Sequence, residues 1–167
     1  EYNKSINKSW FNKPVPSFGS KNAKMLIVGL APGLKGANRT GRPFTGDYAG
    51  NILYASLIKY GLANGFFDKN GIDNLKLKNC RITNSVRCVP PQNKPNGYEI
   101  KKCNFFLQKE ISILKQLKVI LTLGRIAHIS VIQALKLKNS NYIFKHGKVH
   151  KINNYLIINS YHCSQYN

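Results

Sequence analysis

Short apolar runs that alternate with helix-like stretches constrain the fold of this chain more than any other feature. Each run has the length of a strand buried on both faces, and the four runs are Met25–Leu30, Cys80–Asn84, Lys118–Leu123 and Tyr155–Asn159. The stretches with helical spacing are Gly50–Tyr60, Tyr98–Leu114 and Arg125–Leu137. Strands that alternate with helices of this length favour a parallel sheet between helices. The sequence therefore predicts the α/β class, as a three-layer α/β/α sandwich with a short, mostly parallel central sheet.

The length of 167 residues suits one domain with its own core, because domains commonly contain about 100–200 residues. We expect a single domain over residues 1–167 that is truncated at both ends, since the chain has no initiating Met and stops at Asn167. It contains no apolar run of the roughly 18 residues that cross a membrane, and no signal-peptide pattern. We therefore expect a cytoplasmic monomer without membrane association. The polar segment Lys138–Lys151 is expected to be a hairpin or an irregular excursion.

The charge balance points towards a polyanionic partner. The chain has 26 Lys and Arg against 6 Asp and Glu, a formal net charge of +20. A field of this strength concentrates a protein on nucleic acid. The alternative is that a composition rich in Lys, Asn and Ile reflects a biased genome, with the charges simply solvated. Composition alone therefore does not assign a function.

The loops at the carboxyl ends of the predicted strands are the expected ligand-binding places, because open α/β sheets bind ligands there. The segment Gly29–Asp47 contains five glycines, which let a backbone approach a ligand closely. It lacks the spacing of a Walker loop or of a dinucleotide fingerprint. Arg39 and Arg42 could grip phosphates or be ordinary surface charges. Phe44 could be a plug that packs the loop onto the core, or a stacking platform for a base.

Three ordered motifs lie in the loops after the predicted strands: Gly-Leu-Ala-Pro-Gly at 29–33 with the segment 38–47, the segment 82–95, and Tyr161–Asn167. Together they resemble the iron–sulfur branch of the uracil-DNA glycosylase superfamily, and the first is similar to the first motif of family five. The segment 82–95 resembles the middle segment shared by families four and five, and Tyr161–Asn167 resembles their closing motif. The resemblance implies a monofunctional hydrolase of base excision repair that flips uracil out of DNA and breaks its N-glycosidic bond. The family also implies activity on other deaminated or altered bases, hypoxanthine and etheno-cytosine.

The resemblance assigns roles to several residues. Phe44 would stack on the base, Asn84 would read its edge by donating and accepting hydrogen bonds, and His162 would donate to the uracil carbonyl oxygen. The backbone amides of Leu30 and Ala31 would hold the base or a water molecule. Without the motifs, Asn84 would be interpreted as a turn residue. The other three histidines are expected to be structural or on the surface: His128, His146 and His150.

Asp47 is the only carboxylate in the motifs and is therefore a candidate catalytic residue that positions the attacking water. The competing interpretation, which the sequence favours, is that Asp47 caps the following helix. Leu30 and Ala31 stand where uracil-specific relatives have an acidic or amide side chain, which fits a broader range of bases. The DNA-contacting candidates are Arg39, Arg42, Ser164 and Gln165.

Cys88 and Cys103 are separated by fourteen residues and fall where the family places two ligands of a 4Fe-4S cluster. The other two ligands would lie upstream of residue 1, or the cluster would be absent. Cys80 is expected to be a small apolar residue on a buried strand. Cys163 replaces the proline that follows the motif histidine in the family, and it could bring a thiol near the active site.

Two other functions remain open from the sequence. The chain could be a catalytically inactive nucleic-acid-binding relative, or a nucleotide-binding α/β protein that uses Gly29–Gly36 for phosphate. Against the second alternative, the sequence has neither phosphate-loop pattern, and it has no acidic residue near the expected ribose position.

Overall fold

The computed structural model describes residues 7–164 and contains a central six-stranded sheet. In chain order its strands are β1 Phe18–Gly19, β2 Met25–Gly29, β5 Cys80–Asn84, β6 Val119–Leu123, β7 Val149–Ile152 and β8 Tyr155–Ser160. Their spatial order is β1-β5-β2-β6-β8-β7. The four inner strands are parallel, whereas β1 and β7 pair antiparallel at the edges. Two short strands, β3 Ala63–Asn64 and β4 Lys76–Leu77, form a separate antiparallel pair.

Helices cover both faces of the sheet. They are α1 Ala37–Thr40, α2 Tyr48–Lys59, α3 Gly97–Ile113 and α4 Arg125–Ala134. Leu26 and Val28 of β2 belong to the core cluster that includes α3 and α4. Ile27, between them, belongs to the cluster that includes α2. Successive side chains of a strand point to opposite faces, so the predicted three-layer α/β/α sandwich is confirmed.

The predicted elements coincide closely with the observed ones where the sequence has a periodic signal. All four predicted strands are present, with bounds that differ by at most one residue. The segment 138–151 combines both expectations, since a short 3-10 helix at Asn139–Asn141 and a stretch without regular structure precede β7, which forms a hairpin with β8. The sequence does not reveal β1, β3, β4 and α1, because elements of two to four residues are too short to show a hydrophobic period.

The parallel arrangement places the carboxyl ends of β2, β5, β6 and β8 at one edge of the sheet. Gly29 and Asn84, the last residues of β2 and β5, are direct partners in register. Leu123 and Ser160 end β6 and β8 in the same way. The loops that carry the three motifs therefore meet at this edge. Within residues 7–164, no helix is long and apolar enough to span a membrane.

Candidate active site

A small pocket lies at this edge of the sheet and is formed by all three motif loops. Its volume is about 40 Å³, and its walls are Ala31, Gly33, Ala37, Phe44, Asp47, Asn84 and His162. A cavity of this size holds water molecules, at about 10–15 Å³ each, and is smaller than a nucleobase. The predicted residues Phe44, Asn84 and His162 thus converge on one pocket. Ala37 is a wall residue that the sequence did not indicate, because its helix α1 is only four residues long.

Gly29 makes the close approach of two pocket walls possible. A Cβ atom at Gly29 would lie 2.5 Å from Oδ1 of Asn84 and 2.5 Å from Cζ of Phe44. Both side chains therefore rest directly against the last residue of β2. Phe44 is buried and belongs to the core cluster around α2. It consequently packs its loop onto the core, as one of the two interpretations predicts, and it is also a wall of the pocket. Stacking of Phe44 on a base stays a prediction.

Asn84 carries an unpaired acceptor into the pocket wall. The residue is 6% exposed, and its Oδ1 is buried without a hydrogen-bond partner in the described part of the chain. Six buried side-chain nitrogen or oxygen atoms of residues 7–164 share this property, and only this one belongs to a wall residue of the pocket. A buried acceptor left unpaired costs about 1–3 kcal/mol. The oxygen is therefore suited to accept a hydrogen bond from a bound ligand.

The ring of His162 closes the pocket over Phe44. The two ring centroids are 5.9 Å apart, with an angle of 27° between the planes. Burial lowers the pKa of His162, and the nearby negative charge of Asp47 partly offsets this effect. An imidazole with a pKa below the usual value of about 6.5 is mostly neutral at pH 7. His162 can then act as an uncharged hydrogen-bond donor at the pocket.

The ring spacing also limits how a base can bind. A planar base in van der Waals contact with both rings would require about 7 Å, twice the contact distance of about 3.5 Å. The observed 5.9 Å is shorter than this. A base therefore cannot lie between the two rings in this arrangement.

Comparison with known proteins identifies the family of this pocket. The family model of the uracil DNA glycosylase superfamily matches residues 16–167. The chain belongs to the uracil-DNA glycosylase superfamily. It is 39% identical to a type-5 uracil-DNA glycosylase of Thermus thermophilus, over 95% of this chain and 72% of the relative. A type-5 uracil-DNA glycosylase of Pyrobaculum aerophilum is 35% identical over 95% of this chain and 69% of the relative. One of Mycobacterium tuberculosis is 43% identical over 71% of this chain and 44% of the relative.

In this superfamily member Asp47 both caps a helix and lines the pocket. Its Oδ1 accepts a hydrogen bond from the backbone N–H of Gly50 at 3.0 Å, at the start of α2. The capping interpretation is therefore correct. Its Oδ2 lies 3.8 Å from the position that a Cβ of Gly33 would occupy, and Asp47 is also a pocket wall. Capping fixes the carboxylate in place without removing it from the pocket.

The two residues of the first motif next to the pocket differ in placement. Ala31 is a pocket wall, whereas Leu30 is not. The carbonyl oxygen of Leu30 accepts a hydrogen bond from the N–H of Val86 at 3.0 Å, and that of Gly29 accepts one from Ser85 at 2.9 Å. These bonds join the loops that follow β2 and β5. Leu30 thus supports the pocket through its backbone.

Arg42 corrects one expectation from the sequence, since its guanidinium is committed to the fold rather than to DNA phosphate. It donates to both carboxylate oxygens of Asp73, at 2.8 and 2.6 Å. It also lies 5.1–5.5 Å from the ring centroids of Phe18, Tyr54 and Phe67. The hydrogen bond from Arg42 lowers the pKa of Asp73 to about 2. The sequence could not show this pairing, because Asp73 lies on a distant loop.

The other three DNA-contacting candidates have different positions. Arg39 is partly exposed and donates to Oδ1 of Asn70 at 2.8 Å, so its cation is not neutralised by that contact. Ser164 is partly exposed, two residues after His162. Gln165 lies outside the described residues.

The cysteines fall into two groups. Cys80 is fully buried on β5, and burial raises its pKa to about 11. Cys163 donates from Sγ to the carbonyl oxygen of Ala49 at 3.3 Å, and burial raises its pKa to about 11 as well. Cys88 is exposed, and Cys103 on α3 is partly exposed. Residues 7–164 contain no group of three or more His, Cys, Asp or Glu placed to hold a metal ion.

His128 has the structural role that the sequence predicts. It is 1% exposed, and its ring nitrogens lie 2.8 Å from Oδ1 of Asn159 and 2.6 Å from the carbonyl oxygen of Tyr142. His150 is also buried. The third of these histidines, His146, contacts the residue before His162.

Proposed function

We propose that this chain removes uracil from DNA by flipping the nucleotide and hydrolysing its N-glycosidic bond. The observation that carries the proposal is the buried, unpaired Oδ1 of Asn84 in a pocket walled by Phe44 and His162. Uracil presents an N3–H donor beside a carbonyl oxygen, which complements the amide of Asn84. Cytosine has an acceptor at N3 and would leave Oδ1 unpaired, a strong basis for rejection. The names of the relatives, type-5 uracil-DNA glycosylases, support the same function.

Phe44 and His162 have proposed roles in bond cleavage. Stacking on Phe44 would contribute about 1–3 kcal/mol to holding the flipped base. As the bond between the sugar C1′ and N1 breaks, its electron pair moves onto the base. The N–H of neutral His162 would then stabilise the negative charge that grows on a uracil carbonyl oxygen.

Asp47 is suited to the second half of the reaction. Its carboxylate is fixed at the pocket by the cap bond to Gly50. There it would stabilise the positive charge on the sugar and orient a water molecule for addition at C1′. The water's oxygen forms the new bond to carbon, and its proton leaves to solvent.

We further propose that the substrates include hypoxanthine and etheno-cytosine. The wall residues Ala31, Gly33 and Ala37 are small and leave space for an altered base. Hypoxanthine keeps an N–H beside a carbonyl oxygen and can pair with Asn84 as uracil does, whereas etheno-cytosine lacks this N–H and is expected to be the poorer substrate. Pockets of this type discriminate weakly against added groups. DNA is the proposed partner, with Arg39, Ser164 and Gln165 as candidate contacts, and the net charge of +20 favours binding to its backbone.

The test of the proposed function is strand cleavage at uracil. A duplex with a single uracil is incubated with the protein and then treated with alkali, which breaks the strand at an abasic site. We expect cleavage by the wild type and a loss of about 10- to 100-fold in the Asn84→Ala variant, the scale of one or two buried hydrogen bonds. The same assay on duplexes that contain hypoxanthine or etheno-cytosine shows which other bases are excised.

The matched control is Asn64→Ala, which removes an exposed asparagine outside the three motif segments. Its excision rate should equal that of the wild type. Binding of uracil DNA without any cleavage would overturn the proposal and favour the inactive nucleic-acid-binding alternative. Wild-type excision by Asn84→Ala would remove Asn84 from base recognition.

We also propose that Cys88 and Cys103 are two ligands of a 4Fe-4S cluster. The neighbour of Cys88, Arg87, donates to Glu110 on α3 at 2.7 Å and lies 5.6 Å from the ring centroid of Phe106. Phe106 is one helical turn after Cys103, on the same face of α3. These contacts between the loop after β5 and α3 support the proposal, as does the partial or full exposure of both cysteines. The cluster needs four ligands, so the other two would come from outside residues 7–164.

A bound cluster would join the loop after β5 to α3, which is a structural role. The experiment measures iron per chain in the full-length protein. We expect Cys88→Ser and Cys103→Ser each to lose most of the iron, whereas Cys163→Ser, whose thiol bonds to Ala49, retains it. Full iron content in the first two variants would refute the ligand assignment.

A further inference from the structure

The chain segment that presents His162 is held from the side by another histidine. β8 ends at Ser160, whose carbonyl oxygen accepts a hydrogen bond from Gly124 at 2.8 Å. Tyr161 therefore stands between the end of the sheet and His162. Its backbone N–H donates to Nδ1 of His146 at 3.0 Å.

Ring stacking reinforces this hydrogen bond. The rings of His146 and Tyr161 have centroids 4.6 Å apart and planes only 10° from parallel. The ring of Phe144 lies 6.3 Å from that of Tyr161. Tyr161 is 57% exposed, so these contacts, rather than burial in the core, define its conformation.

His146 is itself attached to the sheet. The next residue, Gly147, donates from its N–H to the carbonyl oxygen of Asn159 at 2.8 Å. The N–H of Asn159 in turn donates to the carbonyl oxygen of Lys148 at 3.0 Å. The loop before β7 is thereby fixed to β8 two residues before Tyr161, and its histidine extends the support to the backbone beyond the strand.

We propose that His146 is a positioning residue for His162. Through Tyr161 it restricts the backbone from which His162 reaches the pocket. The role requires Nδ1 of His146 to be unprotonated, because a protonated ring nitrogen only donates. This inference rests on the proposed function, which it deepens by naming a residue that acts outside the pocket.

The test uses three substitutions that separate the acceptor from the ring. His146→Ala removes both, His146→Phe keeps an aromatic ring without an acceptor, and His146→Asn keeps an acceptor oxygen close to the position of Nδ1. We expect the single-turnover rate of uracil excision to fall about 10-fold in His146→Ala and about 5-fold in His146→Phe. His146→Asn should restore most of the rate. Binding of uracil DNA should stay within about twofold of wild type in all three.

A second measurement does not depend on excision. Hydrogen exchange of the Tyr161 amide should accelerate in His146→Ala and His146→Phe, and should slow again in His146→Asn. The control is Ile143→Ala, an exposed residue of the same loop, which should leave both readouts and the melting temperature unchanged. Unchanged exchange in His146→Ala and His146→Phe would overturn the inference, as would a wild-type excision rate in His146→Ala. Absence of excision by the wild type would overturn the proposed function, and the exchange result would still decide the contact.

Discussion

His162→Ala should lower the single-turnover rate of uracil excision by about 100-fold or more, the effect typical of removing a donor to a developing oxyanion. The donor acts on charge that exists only as the bond breaks. The affinity for uracil-containing DNA should therefore change much less than the rate, since Phe44 and Asn84, the proposed base-binding residues, are unchanged in this variant. The measurement is excision with enzyme in excess over DNA, together with a binding titration.

A graded variant separates the chemistry of His162 from its packing against Phe44. His162→Gln retains an N–H donor on a flexible side chain, and we expect a rate between those of the wild type and His162→Ala. The melting temperatures of both variants provide the control for folding. An excision rate close to wild type in His162→Ala would exclude His162 from the reaction.

The distribution of charge supports DNA as the partner. All five carboxylates of residues 7–164 accept hydrogen bonds within the fold, from backbone N–H groups or arginines: Asp47, Asp68, Asp73, Glu99 and Glu110. The ion pairs of the described residues involve Arg42, Arg81 and Arg87, and no lysine. The carboxylates are thus used for structure, and the lysines are left as a surface charge without internal compensation. Such a surface attracts polyanions through long-range forces.

The sequence predicted the parts of the fold and site that depend on local pattern and general topology. Buried strands such as Met25–Gly29 leave continuous apolar runs, and parallel strands must bring their carboxyl-end loops to one edge. That rule is why Phe44, Asn84 and His162 could be expected to meet. The sequence did not predict the Arg42–Asp73 pair or the stacking of His146 on Tyr161. Both depend on where polar or irregular loops fold back, for which no periodic signal exists.

The difference between local pattern and tertiary arrangement also explains why the sequence offered two roles for Asp47, helix cap and catalytic residue. A short acid before an apolar helix is a capping signal, and the cap bond is present. The second oxygen of that carboxylate remains at the pocket because Gly33 and the loop after β2 pass beside it. A local motif therefore identified one role of the residue, and only the tertiary arrangement revealed that a second role is compatible with it.

Gly29→Ala should lower uracil excision by about 100-fold although it adds only one methyl group and removes no side chain of the pocket. The new Cβ would lie 2.5 Å from both Oδ1 of Asn84 and Cζ of Phe44, which is impossible without movement. The parallel ladder between β2 and β5 fixes the backbone at Gly29, so the two pocket walls must yield. A displacement of about 1 Å in such groups costs about 100-fold in rate, and overpacking of this kind destabilises a fold by about 1–3 kcal/mol.

The matched control is Gly97→Ala, at the first residue of α3, where a Cβ would have no atom within 4 Å. This variant should retain wild-type excision and should be as stable as the wild type or slightly more stable, because alanine favours helix. Single-turnover excision and chemical denaturation of both variants provide the comparison. If Gly29→Ala folds and excises uracil at the wild-type rate, then Phe44 and Asn84 do not hold the base in the positions seen here, and recognition must rest on other walls of the pocket.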